Sequence, residues 1–215
     1  MASLSPTTRQ AEYLYLLFLL HTYKHMGRYK LARYLQTSDA RVRTLLRKLS
    51  HRGLVEKSSK RFGHQLSEDG EAFWLNFQRD LHIPDPTKRF HLGSRYTIGA
   101  KDALVGVEGT GVLYFSTVAL RDESLINGAM GCTVFFKNTT GDIYLLDAVY
   151  PPLPEKPISD QRTIRKLNRM LMEIPWRQTI IVVGTANSAT AAQMGAIASA
   201  LLLLSEQSKN SLIIS

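Results

Sequence analysis

Hydrophobic and polar positions alternate along this chain with two different periods. Over residues 7–24, Ala11, Leu14, Leu16, Leu17, Leu19 and Leu20 form a broad apolar face at helical spacing, and the interspersed tyrosines are expected to turn their hydroxyls outward. In "MGRYKLARYLQTS" (26–38), Gly27 opens a short helix with Leu31, Ala32 and Leu35 inside. Ser38 or Thr37 then caps a third helix that begins at Asp39, an acid placed at the positive helix end. Val42, Leu45, Leu46 and Leu49 fall at i, i+3, i+4 and i+7, and Gly53 stops the helix in the C′ position. "LVEKSSKRFGHQLS" reads as strand, turn and strand with its tip at residues 58–63, and Ser67 caps a helix over 68–80.

The remainder alternates differently. "LHIPDPTKRFHLGSRYTIG", beginning at residue 81, holds two prolines and two late glycines, and the stretch to about residue 97 reads as a linker. Beyond it, 102–109 is a candidate strand and 116–129 a helix ended by Gly128. "CTVFFK" and "DIYLLDAV" flank "NTTG" as a β-hairpin, 159–174 is a helix, and "QTIIVVG" (178–184) is a fully buried strand. An Ala-rich helix over 188–206 closes the chain.

Composition places these elements in an ordinary globular protein, with 44% hydrophobic and 21% charged residues over 215 positions. The single cysteine, Cys132, excludes an internal disulfide and a thiol cluster for zinc, and fits a reducing compartment. The start reads as no secretory signal, and the densest apolar run, residues 194–204, is shorter than the roughly 20 residues that span a bilayer. A cytoplasmic protein without a membrane partner is the expectation. Residues 1–97 hold 17 Lys and Arg against 8 Asp and Glu, whereas 98–215 hold 10 against 10. So one-sided a distribution is the footprint of a polyanion-binding module joined to a neutral domain.

At 100° per residue, Ala40, Arg43, Thr44 and Arg47 point away from the leucine face of the third helix, with Arg41 and Lys48 at its flanks. Small residues at the N-terminal end permit close approach, and guanidinium forks match guanine edges or phosphates. The short helix, turn, basic helix, hairpin and helix of "LARYLQTSDARVRTLLRKLSHRGLVEKSS" (31–59) and "HQLSEDG" (64–70) resemble the winged helix-turn-helix domains of bacterial and archaeal transcription regulators. That resemblance, over roughly residues 8–80, implies that Ser38, Ala40, Arg41, Arg43, Thr44 and Arg47 face the major groove of duplex DNA, with Lys48 a further DNA-binding residue at the flank. It likewise implies that Lys57, Lys60, Arg61 and also His64 lie on the wing, along a phosphate strand or in the minor groove. The whole layout is also similar to a little-characterised archaeal family with a winged helix followed by a compact α/β domain.

The second half offers weaker chemistry. "GTANSAT" (184–190) follows a strand and opens a helix, where Thr185, Asn187 and Ser188 are candidates for holding a phosphate or carboxylate, although a plain capped junction is the favoured reading. "VGVEGTG" (105–111) is no P-loop, and His21 and His25 lack companions for a metal site. With all six histidines before residue 98, the second segment lacks a histidine for acyl transfer or acid–base work.

The expected fold class is therefore α+β. A winged helix-turn-helix domain occupies residues 1–82, a linker 83–97, and a two-layer α/β sandwich of order β-α-β-β-α-β-α residues 98–215. The expected function is DNA-binding transcriptional regulation, without catalytic residues, cofactor or metal. The second domain is expected to form a homodimer, packing 186–200 against its copy or against its own sheet, or to sense a small anionic effector. The alternatives are an enzyme acting on a phosphorylated small molecule or nucleotide, fused to a regulatory winged helix, and a winged helix that docks protein or RNA.

Overall fold

The computed structural model describes residues 6–59, 63–86, 88, 90–109, 115–147, 149–150, 154–172 and 174–207. It is a mixed α/β protein in two compact units, Met1–Arg79 and Asp80–Ser215.

The first unit runs α1 (Pro6–Tyr23), α2 (Arg28–Tyr34), α3 (Asp39–His51), β1 (Val55–Ser59), β2 (Gly63–Leu66) and α4 (Glu68–Phe77). α1 is not a surface helix. Tyr13, Tyr15 and Phe18 are buried along with Leu14, Leu16, Leu17, Leu19 and Leu20, because a helix that is apolar on every side finds its place inside a core. Burial pushes the Tyr15 phenol up to about 12. The tyrosines therefore do not present outward hydroxyls as expected.

Two turns fix α3. Gln36, at φ +48°, reverses the chain between α2 and α3, and Gly53, at φ +73°, ends α3. At that end Gly53 N donates to Ser50 O (3.0 Å) and Leu54 N to Leu49 O (3.0 Å), the paired bonds of a Schellman stop. β1 and β2 pair antiparallel with Val55 opposite Leu66 and Lys57 opposite His64. Met26 and His64 exchange both backbone hydrogen bonds at 2.9 Å, which ties the hairpin to the chain between α1 and α2. Gly70 is required: a Cβ there would collide with the Leu54 carbonyl oxygen, so only glycine lets α4 lie this close to the start of the hairpin.

The second unit contains β3 (Leu81–His82), β4 (Lys101–Glu108), β5 (Phe115–Ser116), α5 (Thr117–Ile126), β6 (Gly131–Lys137), β7 (Ile143–Leu146), β8 (Val149–Tyr150), α6 (Gln161–Met170), β9 (Thr179–Ala186) and α7 (Ala189–Gln207). Its five-stranded sheet has the order β3-β4-β9-β6-β7 and is antiparallel throughout, and β5 and β8 form a separate pair. Central β9 is buried at every position, although it belongs to no parallel sheet. The reason is cover on both faces. Leu104, Phe135, Ile181 and Val183 meet Leu167, Met170 and Leu171 of α6 and its C-terminal end, whereas Gly184, on the other face, abuts Ala192 of α7. The expected two-layer sandwich is thus corrected to three layers, with α6 on one face and α7 on the other.

The expected linker is also corrected. Leu81 and His82 pair with Val107 and Gly106, while Phe90 and Leu92 join the core cluster beneath α6. Pro84, Pro86 and Gly93 mark bends in this stretch, but its buried apolar residues bind it to the second unit.

Candidate nucleic-acid interface

α3 is one-sided by construction. Val42, Leu45, Leu46 and Leu49 are buried, and Ser38 Oγ accepts from Arg41 N (3.2 Å) at the cap. Ser38, Ala40, Arg43, Arg47 and Lys48 are exposed, and half-buried Thr44 donates to the Ala40 carbonyl (3.1 Å). Arg43 spans one turn to Asp39 (3.2 Å), yet its side chain keeps 65% exposure. Asp39 is further held by Arg28 at the start of α2 (Nε–Oδ1 2.8 Å). The two helices are thereby locked at the turn.

Arg41 departs from expectation. Its guanidinium grips Glu12 of α1 with two nitrogens, Nε to Oε1 at 3.4 Å and Nη2 to Oε2, and so ties α3 to the core helix instead of facing outward. Among hairpin residues, Lys57 is exposed, while Lys60 and Arg61 lie outside the described residues. His64 brings no charge at neutral pH. Burial first, and then Lys57 and Arg28, push its imidazole below the ordinary histidine range.

Sequence reasoning missed the acids and aromatics that organise these cations. Tyr29, strongly exposed, receives a hydrogen bond from Arg28 (3.0 Å) and lies under its guanidinium at 4.9 Å. The Lys30 ammonium lies 4.9 Å over the Tyr23 ring. The alternation of Arg, Tyr and Lys at 28–30 is the signal that points to such stacking. His21 is engaged by Glu71 of α4 (Nδ1–Oε2 2.7 Å).

In the second unit the anion site proposed at 184–190 does not assemble. β9 runs through Gly184, Thr185 and Ala186, so Thr185 is a buried strand residue whose hydroxyl accepts from Gly99 N (2.7 Å). Ser188 is committed to the cap, accepting from Ala191 N (3.1 Å), and of the three candidates only Asn187 is exposed. The small residues of α7 are likewise consumed internally. A Cβ on Gly195 would collide with Ser124 and Ala129, and Ser199 donates to Leu120 O (2.7 Å), so this stripe packs on α5.

Histidine is present in this unit after all, because its boundary falls at Asp80: His82 and His91 belong to it. Asp102, fully buried, accepts at one oxygen from His91 Nδ1 (2.7 Å), Leu92 N (2.8 Å) and Thr97 Oγ1 (2.9 Å). This carboxylate shapes the 91–97 turn and orients a half-exposed imidazole. Burial raises the Cys132 thiol to about 11, which disfavours its thiolate. Among the described residues no group of three His, Cys, Asp or Glu is placed to hold a metal, and no helix is long and apolar enough to cross a membrane.

No protein-family profile matches the chain, and no curated protein does. A solved structure, the hypothetical protein PH0730 from Pyrococcus horikoshii OT3, is similar in fold, with a TM-score of 0.70 at 21% identity over 92% of this chain and 93% of that one.

Proposed function

We propose that the first unit is a winged helix-turn-helix and that the chain is a DNA-binding transcription regulator. The observation that carries this reading is α3 itself. It is capped by Ser38, pinned to α1 through Arg41 and to α2 through Asp39, and so offers Ala40, Arg43, Thr44, Arg47 and Lys48 on a rigid outward face. Arg43 and Arg47 are the base-reading candidates, with Thr44 beside them. Lys57 supplies phosphate contact from the hairpin, a separate element.

In this reading the second unit dimerises or senses an effector, and it carries no reaction. Val118, Leu125 and Ile126 of α5 are exposed apolar side chains that share their side of the helix with the Arg121–Asp122 pair, with Met130 just beyond it, a mixed surface that supports a second copy as its partner. Sedimentation of Ile126→Asp as a monomer, beside a dimeric wild type, tests that assignment.

The experiment for the central reading is recovery of genomic DNA fragments retained by the purified protein at rising salt. Retention of particular fragments well above random duplex is the expected result. Retention that is salt-labile and has no sequence preference contradicts it.

A further inference from the structure

α6 carries Arg162, Arg165, Lys166 and Arg169 at i, i+3, i+4 and i+7, so the four cations share one side of the helix, and no acidic residue lies within it. The three arginines are exposed and Lys166 is half-buried. Among the described residues none of the four is paired with a carboxylate. Arg165 Nε donates to the Gln161 carbonyl (3.2 Å) and Lys166 Nζ to the His91 carbonyl (2.5 Å). The second bond brings the 91–96 turn alongside the helix, with His91 half-exposed on it. Arg95, also exposed, belongs to that turn and acts on Asp160, the cap of α6. Like charges three and four residues apart repel and weaken a helix, and solvated helix faces ordinarily intersperse acids to avoid this. This helix keeps four such cations together.

We propose that the outer face of α6, with Arg95 beside its N-terminal end, is a second contact for the phosphodiester backbone of nucleic acid, independent of sequence. The choice of nucleic acid as partner rests on reading the chain as DNA-binding. The chemistry rests on the face itself. Guanidinium forks bind phosphate oxygens two at a time, and seven residues of helix, about 10 Å, set them along a backbone with one phosphate per roughly 3.4 Å of strand. An anionic membrane fits less well. A helix lying on lipid inserts its apolar side, whereas Leu167 and Met170 are committed to the core against Phe135 and Ile181. The neutral overall charge of residues 98–215 conceals this face, because the compensating acids sit on other elements.

The test uses the full chain and a labelled random-sequence duplex, reading the slope of log affinity against log salt. Arg162→Ala/Arg165→Ala/Arg169→Ala is expected to lower that slope by about 2 to 3, near 0.9 per phosphate contact, while retaining its preference for selected fragments over random DNA. The corresponding triple Lys variant keeps the slope. Arg43→Ala/Arg47→Ala is expected to lose the preference instead. An unchanged slope in the triple Ala variant, at unchanged thermal midpoint, overturns the α6 contact and leaves the α3 reading standing. A reduced slope there, with no loss of preference in the α3 variant, sinks the α3 reading and keeps the α6 contact. Loss of binding to phosphatidylserine vesicles in the triple Ala variant, with its DNA slope intact, overturns the proposal in favour of a membrane surface.

Discussion

α3 and α6 are built alike and charged differently. Each buries one apolar side, Val42, Leu45, Leu46 and Leu49 in α3 and Leu167 and Met170 in α6, and each turns arginines outward. In α3 two of the three arginines are spoken for, Arg41 by Glu12 and Arg43 by Asp39. In α6 the cations have no acidic partner among the described residues. Counting charges ranks the two in the opposite order: the first unit holds 14 Lys and Arg against 6 Asp and Glu, and the second 13 against 12. Local field follows pairing, not totals, and a neutral unit can carry the more open basic face.

The inner sides are predicted to be equivalent. Leu49→Ala and Leu167→Ala each remove a fully buried side chain and should each destabilise the protein by about 2–5 kcal/mol in denaturant unfolding. A much smaller loss for Leu167→Ala would mean that α6 is held loosely and that its stripe is not preorganised. Next in size is Glu12→Gln. It releases Arg41 and is expected to lower stability by about 1–2 kcal/mol, less than a fully buried pair because 31% of the Arg41 side chain is exposed. If the freed guanidinium reaches phosphate, the salt slope rises by about 1; stability lost without a change in slope would show that Arg41 stays docked on α1.

The caps sharpen the contrast further. Ser38→Ala should cost about 1 kcal/mol at any pH, since a hydroxyl does not titrate here. Asp160 caps α6 as a carboxylate, and its hydrogen bond from Thr163, then those from the Arg162 and Thr163 amides, hold it below the usual range. The folded state therefore favours the ionised form. Its contribution is present above the ordinary aspartate range and disappears as pH falls through the lowered value. Acid titration of wild type against Asp160→Asn should converge at low pH, whereas the Ser38→Ala difference should persist.

The smallest effect belongs to the hairpin. The imidazole of His64 is pushed down, so the folded state disfavours its protonation. Its stability contribution is full above the ordinary histidine range and is lost as pH falls through it. Between about pH 7.5 and about pH 5.5, His64→Gln should lose less thermal stability than wild type. Equal losses would remove His64 from the account.

Much of the secondary structure was legible because local rules agreed there. Ser38 and Gly53 bracket α3, Ser67 caps α4, and the β-branched run 179–183 forms β9. What was illegible depended on partners far along the chain. Nothing near Arg41 announces Glu12, 29 residues away, and nothing near Thr185 announces that Gly99 N will take its hydroxyl. Residues 83–97 look like a linker because prolines and a glycine punctuate them, whereas Phe90 and Leu92 are buried against a sheet whose strands come later in the chain. Residue type alone turns the tyrosines of α1 outward, although Tyr13 and Tyr15 are buried in a helix that is largely apolar all round. The stripe on α6 lay in plain view at helical spacing and was averaged away by a charge count over the whole segment.

The most direct test of the central claim compares one arginine from each helix. Affinities for a selected genomic fragment and for random duplex are measured with Arg47→Ala and with Arg169→Ala at one salt concentration. Arg47→Ala is predicted to weaken the selected fragment by about 5- to 150-fold, equivalent to about 1–3 kcal/mol, with little change on random DNA. Arg169→Ala is predicted to weaken both equally. An unchanged ratio of the two affinities in Arg47→Ala would contradict the assignment of α3 as the element that reads sequence.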